Sequence, residues 1–110
     1  MENPSIFVSK VKKEFSSESS IGVLLDDLYK MVDRKNNGAL SAIRSDYAQL
    51  SDTDLKIMSL YSEDFSAVAI AFLFNTTPQN IHARKYRLVK KLNITVAIGD
   101  FVREYTKHSV

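Results

Sequence analysis

Residues 76–94 read TTPQNIHARKYRLVKKLNI. Thr77 supplies a hydroxyl cap and Pro78 takes the first helical position, where its missing N–H costs no hydrogen bond. The spacing predicts a helix from Pro78 to about Leu92. Asn93 can then take the left-handed backbone that normally favours glycine at a helix end. With Ile81 placed at the centre of the buried face, Leu88 and Leu92 fall within about 20° of it. Gln79, Ala83, Tyr86 and Lys90 fall on the opposite side, with His82 and Arg87 flanking them. Arg84, Lys85, Arg87, Lys90 and Lys91 are cations, and no acid occurs between Thr76 and Gly99. One face is built to be buried and the other carries unbalanced positive charge.

The residue types on the outer face suit a duplex. An amide can bond an adenine edge, arginine can bond guanine, and a small side chain lets the helix approach the groove floor. Gln79, His82, Ala83 and Tyr86 are the candidate base-contacting residues. Arg84, Lys85 and Lys91 lie nearer the edges of that face, where long side chains could reach phosphates while their stems cover apolar surface. Lys85 lies about 40° from the buried centre and is expected to snorkel. A basic amphipathic helix can equally face solvent or a membrane surface. The residues ahead of it favour DNA. Ala67–Phe74 is an apolar helical run capped by Ser66, and Asn75-Thr76-Thr77 separates it from the basic helix. That is the helix-turn-helix pattern, whose second helix enters the major groove.

The 110 residues suit one domain, and that length buries about 65% of the unfolded surface. The absence of cysteine removes disulfides and argues against a structural zinc site. The longest apolar run, Ala67–Phe74, is too short to span a bilayer. The start, MENPSIFVSKVKKEF, has no signal-peptide apolar core. The chain therefore reads as cytoplasmic, with no membrane contact. Residues 1–76 carry eight Lys/Arg and eleven Asp/Glu, a net of −3, whereas residues 77–110 carry seven and two, a net of +5. Such asymmetry fits a polyanionic partner for the last third, or simply a solvated surface.

The rest of the chain also reads as helix, because apolar residues recur at three and four. Phe7, Val11 and Phe15 mark a first helix. Ile21, Leu24, Leu25, Leu28 and Val32 mark a second, capped by Ser19 or Ser20 and stopped at Asn36-Asn37-Gly38. Leu40, Ile43, Tyr47 and Leu50 mark a third. Ser51-Asp52-Thr53-Asp54 resembles a capping box that opens a helix running to about Ser62. Thr95 caps a last helix with the stripe Ile98, Phe101, Val102 and Tyr105. The expected fold is an all-α helical bundle. Residues 1–49 form an N-terminal helical segment packing on or linking to the DNA-binding part, which is residues 50–110.

From Leu50 to Ile94 the chain resembles the LuxR-type helix-turn-helix domain of bacterial transcription regulators. LSDTD, the apolar Ile57, Met58 and Leu60, FSAVAIAFLF and the basic stretch carry the likeness. Arg84, Lys85, Arg87, Leu88, Lys90 and Lys91 match a run that closes the recognition helix in a Bacteroidetes branch. There, such domains end tetratricopeptide or hybrid two-component regulators. The likeness implies base contacts at His82, Ala83 and Tyr86, and backbone contacts at Thr77, Arg87, Lys90 and Lys91. It also implies a sensory domain in the same or another chain. Asp64 stands where the family usually has glycine, His82 replaces a frequent lysine, Arg84 a frequent histidine and Asn93 a glycine. In the family the helix after the recognition helix often pairs two domains. Ile98, Phe101, Val102 and Tyr105 would form that homodimer seam, or would pack on the chain's own N-terminal helices.

No enzyme constellation is legible. His82 and His108 have no acidic or thiol companions at metal spacing, and three scattered glycines cannot form a phosphate loop. Asp26-Asp27 and Asp52/Asp54 read as helix surface and cap. No cofactor or metal is expected. The expected function is sequence-specific binding of double-stranded DNA in transcriptional regulation. About four to six phosphate contacts per copy would supply most of the affinity. Two alternatives stand: a sigma-factor region-4-like domain acting with RNA polymerase, and a helical protein-interaction module that has lost DNA binding.

Overall fold

The computed structural model of the chain describes residues 18–108, and among them every regular element is helical. α1 spans Glu18–Lys35, α2 Ala39–Asp46, α3 Asp52–Ser62, α4 Ala67–Leu73, α5 Pro78–Leu92 and α6 Ile98–Glu104, and a 3-10 turn covers Tyr105–His108. The helix expected around Phe7, Val11 and Phe15 lies outside the described residues.

Local chemistry sets most of the boundaries. Ser51 accepts the Asp54 amide proton at 3.0 Å and the Asp54 carboxylate accepts the Ser51 amide proton at 3.1 Å, so the capping box at the start of α3 is complete. Ser66 accepts from the Ala69 amide at the start of α4, and Thr77 from the Asn80 amide at the start of α5. The start of α1 differs from expectation: Ser19 and Ser20 lie inside the helix, not at its cap.

Among the described residues, four that are not glycine have positive φ: Asn37, Asp64, Asn75 and Asn93. All are Asn or Asp, the types whose short polar side chains best tolerate the left-handed region. Each follows the end of a helix. Asp64 has φ 64°, the left-handed backbone that glycine adopts most readily. Asn37 and Gly38 together turn the chain from α1 into α2.

One hydrophobic cluster joins these elements, from Ile21 and Leu25 of α1 through Ile57 and Leu60 of α3 to Ile98 and Val102 of α6. Residues 18–49 therefore share their core with the part beginning at Leu50. α6 packs closely on α3, α1 lies against α3, and α4 lies against α5. Arg103 of α6 donates to the Ser62 carbonyl at 2.6 Å, satisfying an end carbonyl of α3. Tyr105 donates to the Asp46 carboxylate and Thr106 to the Asn36 carbonyl, which fastens the 3-10 turn to α2 and to the α1–α2 turn. Burial and the neighbouring Asp46 push the Tyr105 hydroxyl up to about 12.

Two apolar placements depart from the periodicity. Leu24, expected on the buried face of α1, is 44% exposed. It lies about 60° around the helix from Ile21, at the edge of the stripe. Val68 of α4 is exposed although that helix is apolar nearly all round, and only Ile70 and Ala71 are buried in it. α4 is covered mainly where it meets α5, so its opposite side stays open.

Candidate nucleic-acid interface

The candidate interface is built on α5. Ile81, Leu88 and Leu92 are buried, so the leucine side of the helix faces the body of the fold. Gln79, His82, Ala83, Tyr86, Arg87 and Lys90 are exposed along the opposite side. This is the division that the helical projection expects. Among the described residues Tyr86 is the most exposed large hydrophobic side chain, at 63%.

The helix is fixed at both ends. Thr77 caps the start, Pro78 occupies the first position and Asn80 donates to the Thr76 hydroxyl at 2.9 Å. Asn93 closes the end with φ 54°, as its type allows. Thr77 is exposed, but its hydroxyl is already engaged by the Asn80 amide at 3.2 Å. A groove of about 400 Å³ runs beside the N-terminal half of the helix, rimmed by Thr53, Thr76, Asn80, Arg84 and Arg87 and backed by Phe74.

The five cations are not equivalent. Arg84 Nη1 lies 3.0 Å from Asp54 Oδ1, and Lys91 Nζ lies 3.6 Å from Asp54 Oδ2. Lys85 is half-buried, with its ammonium 5.3 Å from the centre of the Tyr61 ring. That placement matches the expected snorkelling and adds a cation–π contact. Lys90 lies 4.5 Å from the centre of the Tyr86 ring. Among the described residues no carboxylate pairs with Lys85, Arg87 or Lys90.

Asp54 is the residue that sequence reasoning read only as a cap. Its side chain is 8% exposed. Burial pushes its carboxyl up, but the Ser51 backbone amide, the Lys91 ammonium, the Ser51 side chain and the Arg84 guanidinium outweigh it and hold the group below its ordinary 3.8. Leaving such a buried carboxylate unpaired costs about 3–5 kcal/mol, whereas an exposed ion pair returns about 0–1 kcal/mol. Arg84 and Lys91 are therefore held toward the protein. One signal for this was present in the sequence: with no acid between Thr76 and Gly99, any counter-charge for the helix must come from another element.

Of the two readings of the last helix, the packing within the chain agrees with the one in which its stripe covers the chain's own core. Ile98 and Val102 are buried against the chain's own core, and Phe101 and Tyr105 are half-buried beside it. Phe101 meets Tyr47 and Tyr105 edge to face at 6.3 and 5.1 Å between ring centres. Ile98 and Val102 are thus used within the chain, where α6 packs on α3. Of the acid pairs, Asp26 bonds Lys56 and Asp52 bonds Arg44, each at 2.7 Å.

Among the described residues no helix is long and apolar enough to cross a membrane. Compared with protein-family models, curated proteins and solved structures, the chain matches none of them.

Proposed function

We propose that the chain is a sequence-specific DNA-binding transcriptional regulator, in which α4, the turn after it and α5 act as a LuxR-like helix-turn-helix. The observation that carries this reading is the outward face of α5. Its six exposed side chains combine hydrogen-bonding, apolar and cationic groups, and its two exposed cations, Arg87 and Lys90, have no carboxylate partner among the described residues. An α-helix of about 10–12 Å diameter fits a major groove about 12 Å wide.

Gln79 and His82 stand in the first two turns and would read base edges. Ala83 and Tyr86 form an apolar patch between them and Arg87, suited to the C5-methyl of thymine. Arg87 and Lys90 lie farther along and would neutralise phosphates. The mechanism is non-enzymatic: binding positions the chain on its operator. A regulator of this kind would act in the cytoplasm and take its sensory input from another domain or chain.

A second reading, a protein-interaction module, draws on a separate observation. Val23, Leu24 and Met31 leave apolar side chains exposed on α1.

Selection of bound sites from a random duplex library tests the first reading. An enriched motif whose affinity falls with salt supports it. Failure to retain any duplex at low salt overturns it in favour of the interaction module.

A further inference from the structure

The Asp54 carboxylate joins two elements. It closes the capping box of α3 by accepting the Ser51 amide proton. It also takes Arg84 at 3.0 Å and Lys91 at 3.6 Å from α5. Arg84 and Lys91 are seven positions apart, two turns along one side of the helix. A single buried acid therefore grips α5 at two heights.

We propose that Asp54 is the positioning residue of the DNA-binding face. It keeps Arg84 and Lys91 when the duplex docks, fixes the roll of α5 about its axis, and leaves phosphate neutralisation to Arg87, Lys90 and Lys85. This inference rests on the DNA-binding reading. The reasoning is one of competition. A phosphate that drew Arg84 away would leave a carboxylate more than nine-tenths buried with only the longer Lys91 contact and the Ser51 amide, and an exposed contact to phosphate does not compensate for that. The roll matters because it sets which residues point outward. With Arg84 and Lys91 held on one flank, Gln79, His82, Ala83 and Tyr86 face away from the fold together. The helix then makes about two or three phosphate contacts, fewer than its five cations suggest.

The test is the salt dependence of binding to a short random-sequence duplex. Each phosphate contact contributes about 0.9 to the slope of log K against log salt. Arg87→Gln/Lys90→Gln should lower the magnitude of the slope by about 1.8. Arg84→Gln/Lys91→Gln should leave it at the wild-type value. Asp54→Asn, which keeps an acceptor for the cap, should raise it by up to about 1.8 as the two cations are released. Asp54→Glu should restore the wild-type slope. A residue that served stability alone would change the melting temperature without changing the slope. If Arg84→Gln/Lys91→Gln lowers the slope as much as the other pair does, the two cations bind phosphate and the inference is overturned. That comparison stands even where Asp54→Asn fails to fold. Absence of duplex binding by the wild type at low salt overturns the DNA-binding reading, and the inference with it.

Discussion

Gly99 lies against the backbone of Tyr61 so closely that a Cβ on it would sit 2.7 Å from the Tyr61 carbonyl oxygen. The contact lets α6 approach α3 with no side chain between them. In an open helix, glycine to alanine stabilises by up to about 1 kcal/mol. Here the obstacle is backbone, which cannot swing aside. Gly99→Ala should therefore destabilise by about 1–3 kcal/mol, the range for overpacking a filled interior. Thermal unfolding checks this: the variant should melt lower, and an equal or higher midpoint would mean that α6 is not seated on α3.

The Asp54 carboxyl gives the fold a pH-dependent component of known sign. Its folded value is depressed, so its contribution is fully present above its ordinary 3.8 and is lost as the pH falls through the depressed value. The urea midpoint of the wild type should exceed that of Asp54→Asn at neutral pH. The gap should narrow once the pH drops below about 4. A constant gap down to strongly acid pH would show that the carboxylate charge contributes nothing.

Much of this arrangement was legible before any coordinates. The caps Ser51, Ser66 and Thr77 and the stop at Asn93 are local features, in which the side chain or backbone preference acts within a few residues. The buried face of α5 follows from the helical period alone. What was illegible depends on neighbours distant in sequence. Arg84 meets Asp54 across 30 positions, and no periodicity reveals that pair. Leu24 and Val68 are exposed because of how far the adjoining helices reach, which composition does not encode. The stripe of α6 reads the same whether it covers α3 or a second copy, and only the packing distinguishes them.

That distinction can be measured. Ile98 is 1% exposed within the single chain. Ile98→Ala should lower stability by about 2–5 kcal/mol through the cavity it leaves. Its sedimentation behaviour should match that of the wild type. A variant that changes from dimer to monomer at unchanged stability would restore the seam.

On the proposed function, the exposed Ala83 and Tyr86 should meet thymine methyl groups of a bound duplex. Replacing a contacted thymine by deoxyuridine removes one methyl group and nothing else. Burial of such a group contributes about 0.8 kcal/mol, or roughly fourfold in affinity. The loss should vanish in Tyr86→Ser/Ala83→Ser. Equal affinity for the thymine and uracil duplexes at every position would remove the patch from base reading.

The central claim is that the face of α5 bearing Gln79, His82, Ala83, Tyr86, Arg87 and Lys90 meets the duplex. Titration of isotope-labelled protein with duplex DNA at low salt, followed by amide NMR, tests it most directly. Saturable shifts should concentrate on Thr77–Lys90 and spare the exposed Val23, Leu24 and Met31 of α1. Shifts centred on α1 with α5 untouched, or none at any DNA concentration, would contradict it.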